Sequence, residues 1–340
     1  MVRDKDRDLG AACAGMREAA VGALDWARDN DKLIGPGRAA LERDLKRYAV
    51  EARKLERAAT RPMSAAVFGP SQAGKSFLVG AFIQPEGREA RVVFGSGDSA
   101  ETLSFLGEVN PQGGKETTGL VTMEDVLELR RYFEESLERH PFMAREGLRE
   151  SFWGLAETYL PRLVDEDRLR AVSMLWGGLP EFDSLYRELR AALDQLGHAE
   201  TVYAPLEAIR DTANGVLHVN RIYEMAQKRG PGAAMDTLTL PDGGSVTLRR
   251  SIITALTAEL RVTLNTAPWD FLEHTDLLDF PGARSRQDET PAKYLRKEVM
   301  GTENPPREYC FLRGKVAVLF DNYVADVDLN SMLLCLPDGN

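Results

Sequence analysis

One glycine-rich octapeptide, GPSQAGKS (Gly69–Ser76), constrains the fold of this 340-residue chain more than any other stretch. Its spacing fits the pattern G-x-x-x-x-G-K-[ST], in which backbone N–H groups surround a phosphate and the lysine and hydroxyl reach the phosphates and Mg²⁺. The pattern requires a strand before the loop and a helix after it. The apolar run MSAAVF (Met63–Phe68) predicts the strand, and SFLVGAF (Ser76–Phe82) has helix-compatible spacing. We therefore predict an α/β fold with a P-loop NTPase sheet of the GTPase type.

A second stretch, FLEHTDLLDFPGARSR (Phe271–Arg286), gives this prediction more weight. An apolar strand ends in Asp279, and Gly282 follows within the next turn. In P-loop GTPases the aspartate of D-x-x-G holds Mg²⁺ through water, and the glycine N–H contacts the γ-phosphate. The alternative is an ordinary Pro-Gly turn that ends a strand. The predicted nucleotide-binding residues are Gly69, Ser71, Gln72, Ala73, Gly74, Lys75, Ser76, Phe77 and Gly282.

Magnesium prefers few protein ligands together with phosphates and water. Ser76 offers one hydroxyl, and a threonine of GGKETTGLVT (Gly113–Thr122) would offer another, from Thr117, Thr118 or Thr122. This segment lies between the loop and Asp279, where a switch that orders around a γ-phosphate is expected. The alternative is a polar surface loop. The predicted metal residues are Ser76, Thr122 and Asp279.

The motifs Gly69–Ser76, GLVT (Gly119–Thr122) and DFPG (Asp279–Gly282) together resemble the dynamin-like branch of large GTPases. This resemblance implies that Lys75 neutralises the β- and γ-phosphates and that Thr122 completes the Mg²⁺ shell and positions the attacking water. The implied catalytic residues are Thr122, Gln72 and Ser71. More narrowly, RPMSAAVFGPSQAGKSFLV, NPQGGKETTGLVT and LLDFPGARSR resemble the SrfC-like family of bacterial virulence factors, which is encoded with companion Srf proteins.

The chain departs from the dynamin-like pattern in two ways. Dynamins carry Gln and then Ser at the middle of the loop, whereas this chain has Ser71 and then Gln72. The tetrapeptide [NT]-K-x-D, whose aspartate reads guanine, does not occur in the sequence, so ATP stays open beside GTP. The segment SMLLCLPDGN (Ser331–Asn340) predicts the strand that would lead towards that motif, and we expect the chain to be an N-terminal piece of a longer protein.

Periodicity divides the chain into four predicted parts. Residues 1–61 have apolar residues at helical spacing and predict an N-terminal pair of antiparallel helices. Residues 62–122 and 236–340 predict the two parts of the P-loop domain, and residues 123–235 predict a large, almost entirely helical insertion. In the last part, Asp236–Leu248 predicts a β-hairpin and Arg249–Leu264 a helix. Aromatic side chains are predicted to form the core of the insertion: Tyr132, Phe133, Phe152, Trp153, Tyr159 and Trp176.

Composition excludes several classes of protein. The net charge is −10 with no long basic run, so no nucleic-acid partner is expected. Cys13, Cys310 and Cys335 are far apart and predict buried thiols in a reducing compartment. The charged N-terminus lacks the apolar segment of a signal peptide, and no run approaches the length of a membrane span. The predicted location is the bacterial cytoplasm, with an exported effector as the alternative.

Three functions are compatible with these features. The first is a Mg²⁺-dependent GTPase that acts as a switch or mechanoenzyme, with Mg²⁺ and GTP or GDP as cofactors. The second is a P-loop ATPase or kinase, because Arg284 and Arg286 could stabilise a transferred phosphoryl group. The third is a non-catalytic nucleotide-binding scaffold, which the order Ser71–Gln72 favours. Companion Srf-type proteins are implied as partners by the resemblance, a homodimer is considered, and membrane contact is left open.

Overall fold

The chain forms two compact units, and each is built from separate stretches of sequence. The first contains Met1–Val93, Leu264–Arg286 and Val316–Asn340, and the second contains Phe94–Thr263 and Gln287–Lys315. The computed structural model describes residues 4–69, 75–82, 101–105, 126–127, 129–131, 133–134, 150–199, 201–205, 220–226, 233–261, 269–279, 291–296, 305–325 and 329–336.

The first unit begins with three helices, α1 (Asp4–Asp29), α2 (Asp31–Ile34) and α3 (Arg38–Thr60). The start of α1 lies beside the end of α3, because a Cβ added to Gly10 would lie 2.7 Å from Thr60 Cγ2. The two long helices are therefore antiparallel, as predicted for residues 1–61. The buried face of α1 consists mainly of small residues, which allow this close approach: Gly10, Cys13, Ala20, Leu24 and Ala27.

The other described part of the first unit contains a three-stranded parallel sheet. Its central strand is β1 (Met63–Phe68), and helix α4 (Lys75–Phe82) follows and packs against it. The flanking strands are β7 (Thr275–Asp279) and β8 (Ser331–Leu334), in the order β7-β1-β8. Ala66 and Val67 of β1 are fully buried, as expected for the middle of a parallel sheet.

The second unit contains a five-stranded antiparallel sheet. Its strands are β2 (Glu101–Phe105), β3 (Thr201–Ala204), β4 (Met235–Thr239), β5 (Ser245–Arg249) and β6 (Thr257–Arg261). They lie in the order β5-β4-β3-β2-β6. The predicted hairpin is confirmed, since β4 and β5 pair across a turn in which Gly243 has a φ of +87°. The Asp242 carboxylate accepts the Gly244 N–H at 2.9 Å and holds this turn.

The second unit also contains seven helices in its described part. They are α5 (Glu150–Tyr159), α6 (Asp165–Ser173), α7 (Pro180–Gln195), α8 (Asn220–Tyr223), α9 (Arg250–Leu256) and α10 (Pro291–Arg296), and α11 (Pro306–Ala325) begins here. Helices α5, α6 and α7 contribute to one cluster of buried side chains. The cluster contains Val126, Trp153, Ala156, Leu160, Leu169 and Val172. Phe133, Phe152 and Trp176 pack against it, so most of the predicted aromatic core is confirmed.

Several predictions about this unit differ from the structure. The helix predicted for residues 249–264 is wrong beyond Leu256, because residues 257–261 form β6, in which Leu260 lies opposite Leu103 of β2. The prediction that Tyr159 lies in the core is wrong, because this residue is 53% exposed, and Tyr132 lies outside the described residues. Strand β3 also lies within the segment predicted to be almost entirely helical.

The boundaries of the two units differ from the four predicted parts. Residues 236–263 were placed with the P-loop domain, but they belong to the second unit. The physical reason is strand pairing, because β4 and β6 join the same sheet as β3 and β2. Residues 287–315 also belong to the second unit rather than to the P-loop part.

The three cysteines are free thiols. Cys13 is buried as predicted, whereas Cys310 and Cys335 are only half-buried. Burial raises the pKa of Cys310 to about 11, so this thiol stays protonated at neutral pH.

Candidate functional site

The carboxyl end of β1 is the place where three of the predicted site residues lie, namely Gly69, Lys75 and Asp279. Strand β1 runs parallel to both neighbours, with Val67 opposite Asp279 of β7 and Phe68 opposite Leu334 of β8. All three strands therefore end at the same edge of the sheet. In open parallel sheets, ligands bind beyond this edge.

Gly69, the first residue after β1, is buried in a position that only glycine can occupy. Its φ is +158°, and an added Cβ would lie 2.3 Å from the carbonyl oxygen of Cys335. That neighbour is backbone, and its residue is held beside β1 because the Cys335 N–H donates to the Phe68 carbonyl at 2.8 Å. The first glycine of the motif is thus required by the close approach of the chain after β8.

Lys75 is the first residue of α4, and its side chain turns back to the end of β1. The Nζ atom donates to the Gly69 carbonyl at 3.1 Å, and the residue is only 8% exposed. Lysines are almost never buried without a partner. The fold therefore holds a cation at the carboxyl end of the central strand.

Helix α4 adds a second source of positive potential beside this lysine. The helix packs against β1 and β7 and starts directly after the loop. A helix N-terminus carries a partial positive charge and attracts phosphate groups. Ser76 and Phe77 lie in the first turn of this helix, and only their backbone is described.

Asp279 is the last residue of β7 and lies on the same edge of the sheet. It pairs in register with Val67, which lies two residues before Gly69, and Asp279 itself is exposed. Among the described residues, no group of three or more His, Cys, Asp or Glu side chains could hold a metal ion by itself.

The structure brings Gly69 and Lys75 into contact and places Asp279 on the neighbouring strand end. The other predicted site residues lie outside the described residues. They are Ser71, Gln72, Ala73, Gly74, Thr122 and Gly282, together with Thr117, Thr118, Arg284 and Arg286.

Sequence patterns gave no indication of three contacts that hold the parallel sheet and its neighbouring elements together. The rings of Phe68 and Phe320 lie 5.1 Å apart, and those of Phe82 and Phe271 lie 5.8 Å apart in an edge-on arrangement. The Ser64 N–H donates to Asn330 Oδ1 at 2.7 Å at the beginning of β1. Each contact joins residues far apart in sequence, so no local pattern could have predicted it.

Fold and site together define a mixed α/β protein that presents a buried lysine and a helix N-terminus at one edge of a parallel sheet. The chain belongs to the family described as "Putative bacterial virulence factor", which matches residues 23–123 and 122–340. This agrees with the resemblance to bacterial virulence factors. No curated protein and no solved structure matches the chain. In the described part of the chain, no helix is both long and apolar enough to cross a membrane.

Proposed function

We propose that this chain binds a nucleoside triphosphate with Mg²⁺ and hydrolyses it, acting as a dynamin-like switch or mechanoenzyme in a virulence-associated system. The observation that carries the proposal is the position of Lys75. Its buried ammonium lies at 3.1 Å from the Gly69 carbonyl, at the end of a central parallel strand and at the start of a helix. A lysine, a helix N-terminus and a glycine-rich connection at this place suit a polyphosphate.

The residue types of the motifs support the proposed nucleotide and metal. Lys75 would neutralise the β- and γ-phosphates as a point charge. Ser76, Thr122 and Asp279 would hold Mg²⁺, which takes few protein ligands and completes its shell with phosphate and water. The exposed Asp279 at the end of β7 is suited to contact a hydrated cation. When bound, the metal would neutralise charge on the phosphates.

GTP is the proposed nucleotide because of the dynamin-like motifs. Because [NT]-K-x-D is absent from the sequence, ATP remains the alternative nucleotide. The proposal has a catalytic version, in which the bound nucleotide is hydrolysed, and a non-catalytic version, in which it is only bound. The order Ser71–Gln72 moves the polar side chain that would support the attacking water, which favours slow turnover or binding alone. Nucleotide affinity and phosphate release must therefore be measured separately.

The test is a titration of the whole chain with fluorescent GTP and ATP in the presence of Mg²⁺. We expect Lys75→Ala to weaken binding at least about tenfold, because a charge-assisted contact contributes about 1.5–3 kcal/mol. Lys32→Ala, which removes an exposed lysine from α2, is the matched control and should bind like the wild type.

Equal nucleotide affinity of Lys75→Ala and the wild type would overturn the proposal. Phosphate release by the wild type with GTP alone supports the GTPase, and release with ATP alone supports the ATPase. Tight binding without release supports the scaffold. Companion Srf-type proteins are proposed partners, and co-elution of each purified companion with this chain, with and without nucleotide, tests that part.

A further inference from the structure

The two long helices of the first unit expose a set of large apolar side chains. Each of these side chains belongs to a residue that is between 37% and 63% exposed. We call the surface that they form the helical-pair face, and its residues are Leu9, Met16, Trp26, Leu41, Tyr48 and Leu55. Apolar residues scattered singly over a surface need no explanation, whereas large contiguous apolar patches mark sites of interaction.

The spacing of these residues places them in one row along each helix. Leu9 and Met16 are seven residues apart on α1, and Leu41, Tyr48 and Leu55 follow one another at seven-residue steps on α3. Seven residues make nearly two helical turns, so residues at this step share one side of a helix. The same step is the repeat by which helices pack lengthwise against other helices.

The two rows lie on the same side of the helical pair. Arg17 of α1 pairs with Glu56 of α3 at 3.4 Å, which marks where the two helices contact each other. Met16 lies one residue before Arg17, and Tyr48 lies eight residues before Glu56. At roughly 100° per residue, each is therefore about a quarter turn from the contact in the same rotational sense. Because the helices are antiparallel, equal offsets of this kind bring both rows to one side.

The helical-pair face has about the area that a stable dimer interface requires. Helix α1 has 26 residues and α3 has 23. At 1.5 Å per residue and about 10 Å of width for each helix, the pair presents roughly 700 Å² on this side. A standard interface buries about 800 Å² on each partner. The occupant therefore has to cover both helices along most of their length.

The charges of the two helices favour a second copy of the chain over a membrane as this occupant. Helix α1 carries six acidic and four basic side chains, and α3 carries seven basic and four acidic side chains. If α1 lies against α3 of a second copy, neighbouring helices have opposite net charge and are antiparallel, as they already are within one copy. Helices that lie on membranes have polar sides rich in Lys and Arg, whereas α1 has an excess of acidic residues.

We propose that the helical-pair face binds the same face of a second copy of this chain. The two helical pairs then form an antiparallel four-helix bundle, in which the apolar rows of facing helices pack into each other. Each copy contributes the same residues, as in other two-fold interfaces. The proposal does not depend on the proposed nucleotide function, because the helical-pair face contains no residue of the candidate site.

The experiment is sedimentation velocity of the full chain without nucleotide. Concentrations from about 1 to about 100 µM cover the range in which an interface of this size associates measurably. We expect a reversible equilibrium between monomer and dimer for the wild type. Met16→Glu places an unpaired carboxylate in the interface and should raise the dissociation constant of the dimer at least about tenfold.

The matched control is Ala11→Glu, which adds the same charge at another exposed position of α1, outside the helical-pair face. This variant should dimerise like the wild type. Tyr48→Glu places the charge on α3 instead and should weaken the dimer by a similar factor, so the test does not depend on whether Met16→Glu folds. Circular dichroism checks that each variant is folded. Lys75→Ala should dimerise like the wild type, which separates this proposal from the proposed function.

Four outcomes would each overturn the proposal. The first is a wild type that stays monomeric at all of these concentrations. The second is unchanged dimerisation of folded Met16→Glu and Tyr48→Glu, and the third is an equal loss of the dimer in Ala11→Glu or Lys75→Ala. The fourth is binding of the wild type to phosphatidylserine vesicles that Met16→Glu abolishes, because the face would then contact a membrane.

Discussion

The two units of this chain use sheets of opposite kind, and the difference determines where chemistry can occur. In the first unit, β7, β1 and β8 are parallel, so their carboxyl ends meet at one edge and bring Gly69, Lys75 and Asp279 there. In the second unit, all described strand pairs are antiparallel, so strand ends alternate along each edge. A parallel sheet thus concentrates site residues by topology, whereas the second unit can build a site only from side chains on facing elements.

The units also treat buried cations differently. Lys75 of the first unit contacts a carbonyl of its own loop, beside a helix N-terminus, where a phosphate would add a further partner. In the second unit, Arg250 is matched by both oxygens of Asp236, and Lys315 donates to the Thr254 carbonyl at 2.6 Å. These two cations donate hydrogen bonds to buried acceptors of the fold itself, so their role is structural.

The largest expected change in the free energy of unfolding comes from Ile253→Ala, which tests whether the second unit can be destabilised without affecting the site of the first. Ile253 is fully buried on α9, where the residues from Ser251 to Leu256 are all buried. Removing a buried branched side chain costs about 2–5 kcal/mol through lost burial and the cavity left behind. We expect a lower denaturant midpoint for the second unit, with nucleotide affinity unchanged at temperatures below unfolding.

The control for this variant is Leu155→Ala, because Leu155 on α5 is 60% exposed. It should change the free energy of unfolding by less than about 0.5 kcal/mol. A parallel loss of nucleotide affinity in Ile253→Ala would show that the two units are energetically one body, and the contrast between them would have to be abandoned.

A smaller effect, confined to the first unit, is expected from Gly69→Ala. The new Cβ would lie 2.3 Å from the Cys335 carbonyl oxygen, so the chain after β8 or the loop itself must move. Such overpacking costs about 1–3 kcal/mol and should also weaken nucleotide binding. Differential scanning calorimetry and the GTP titration measure the two consequences.

Gly154→Ala is the matched glycine control. Gly154 lies inside α5 of the second unit, and nothing lies within 4 Å of an added Cβ. Alanine is favoured over glycine in a helix by about 0.5–1 kcal/mol, so this variant should be slightly more stable. If Gly69→Ala proves as harmless as Gly154→Ala, the close approach of Cys335 does not constrain the loop.

The sequence predicted those parts of the fold that depend on local patterns. Helical spacing predicted α1 and α3, and the Pro-Asp-Gly-Gly turn predicted the β4–β5 hairpin. At the candidate site, the motif placed Gly69 after a strand and Lys75 at a helix start, which the structure shows. In each case, residues close together in sequence carry the information.

The remaining features depend on partners distant in sequence. Thr257–Arg261 continues the apolar spacing of a helix, but its pairing with β2 makes it a strand, because tertiary contacts override local propensity. The backbone contact between Gly69 and Cys335 and the Arg249–Glu188 pair likewise join separate segments. Neither leaves a motif, so both required the structure.

The last prediction concerns Lys315 and the pH dependence of the stability of the second unit. Burial lowers the pKa of Lys315 from 10.5 to about 7. Between these values the unfolded chain keeps a proton that the native state has lost, so the free energy of unfolding should rise with pH. The slope is at most about 1.4 kcal/mol per pH unit, and below pH 7 this contribution is constant because both states are protonated.

Denaturant unfolding of the wild type and Lys315→Met across this pH window measures the effect, with Lys32→Met as the exposed control. The methionine variant should lose the rise in stability because no proton is left to release, while the control should keep it. The reason lies in the packing, since the Lys315 ammonium reaches the carbonyl of Thr254, a residue that is itself only 4% exposed. An unchanged slope in Lys315→Met would mean that another group titrates. Burial of the Lys315 ammonium would then not lower the stability of the second unit. The proposed difference between this buried lysine and Lys75 of the first unit would lose its support.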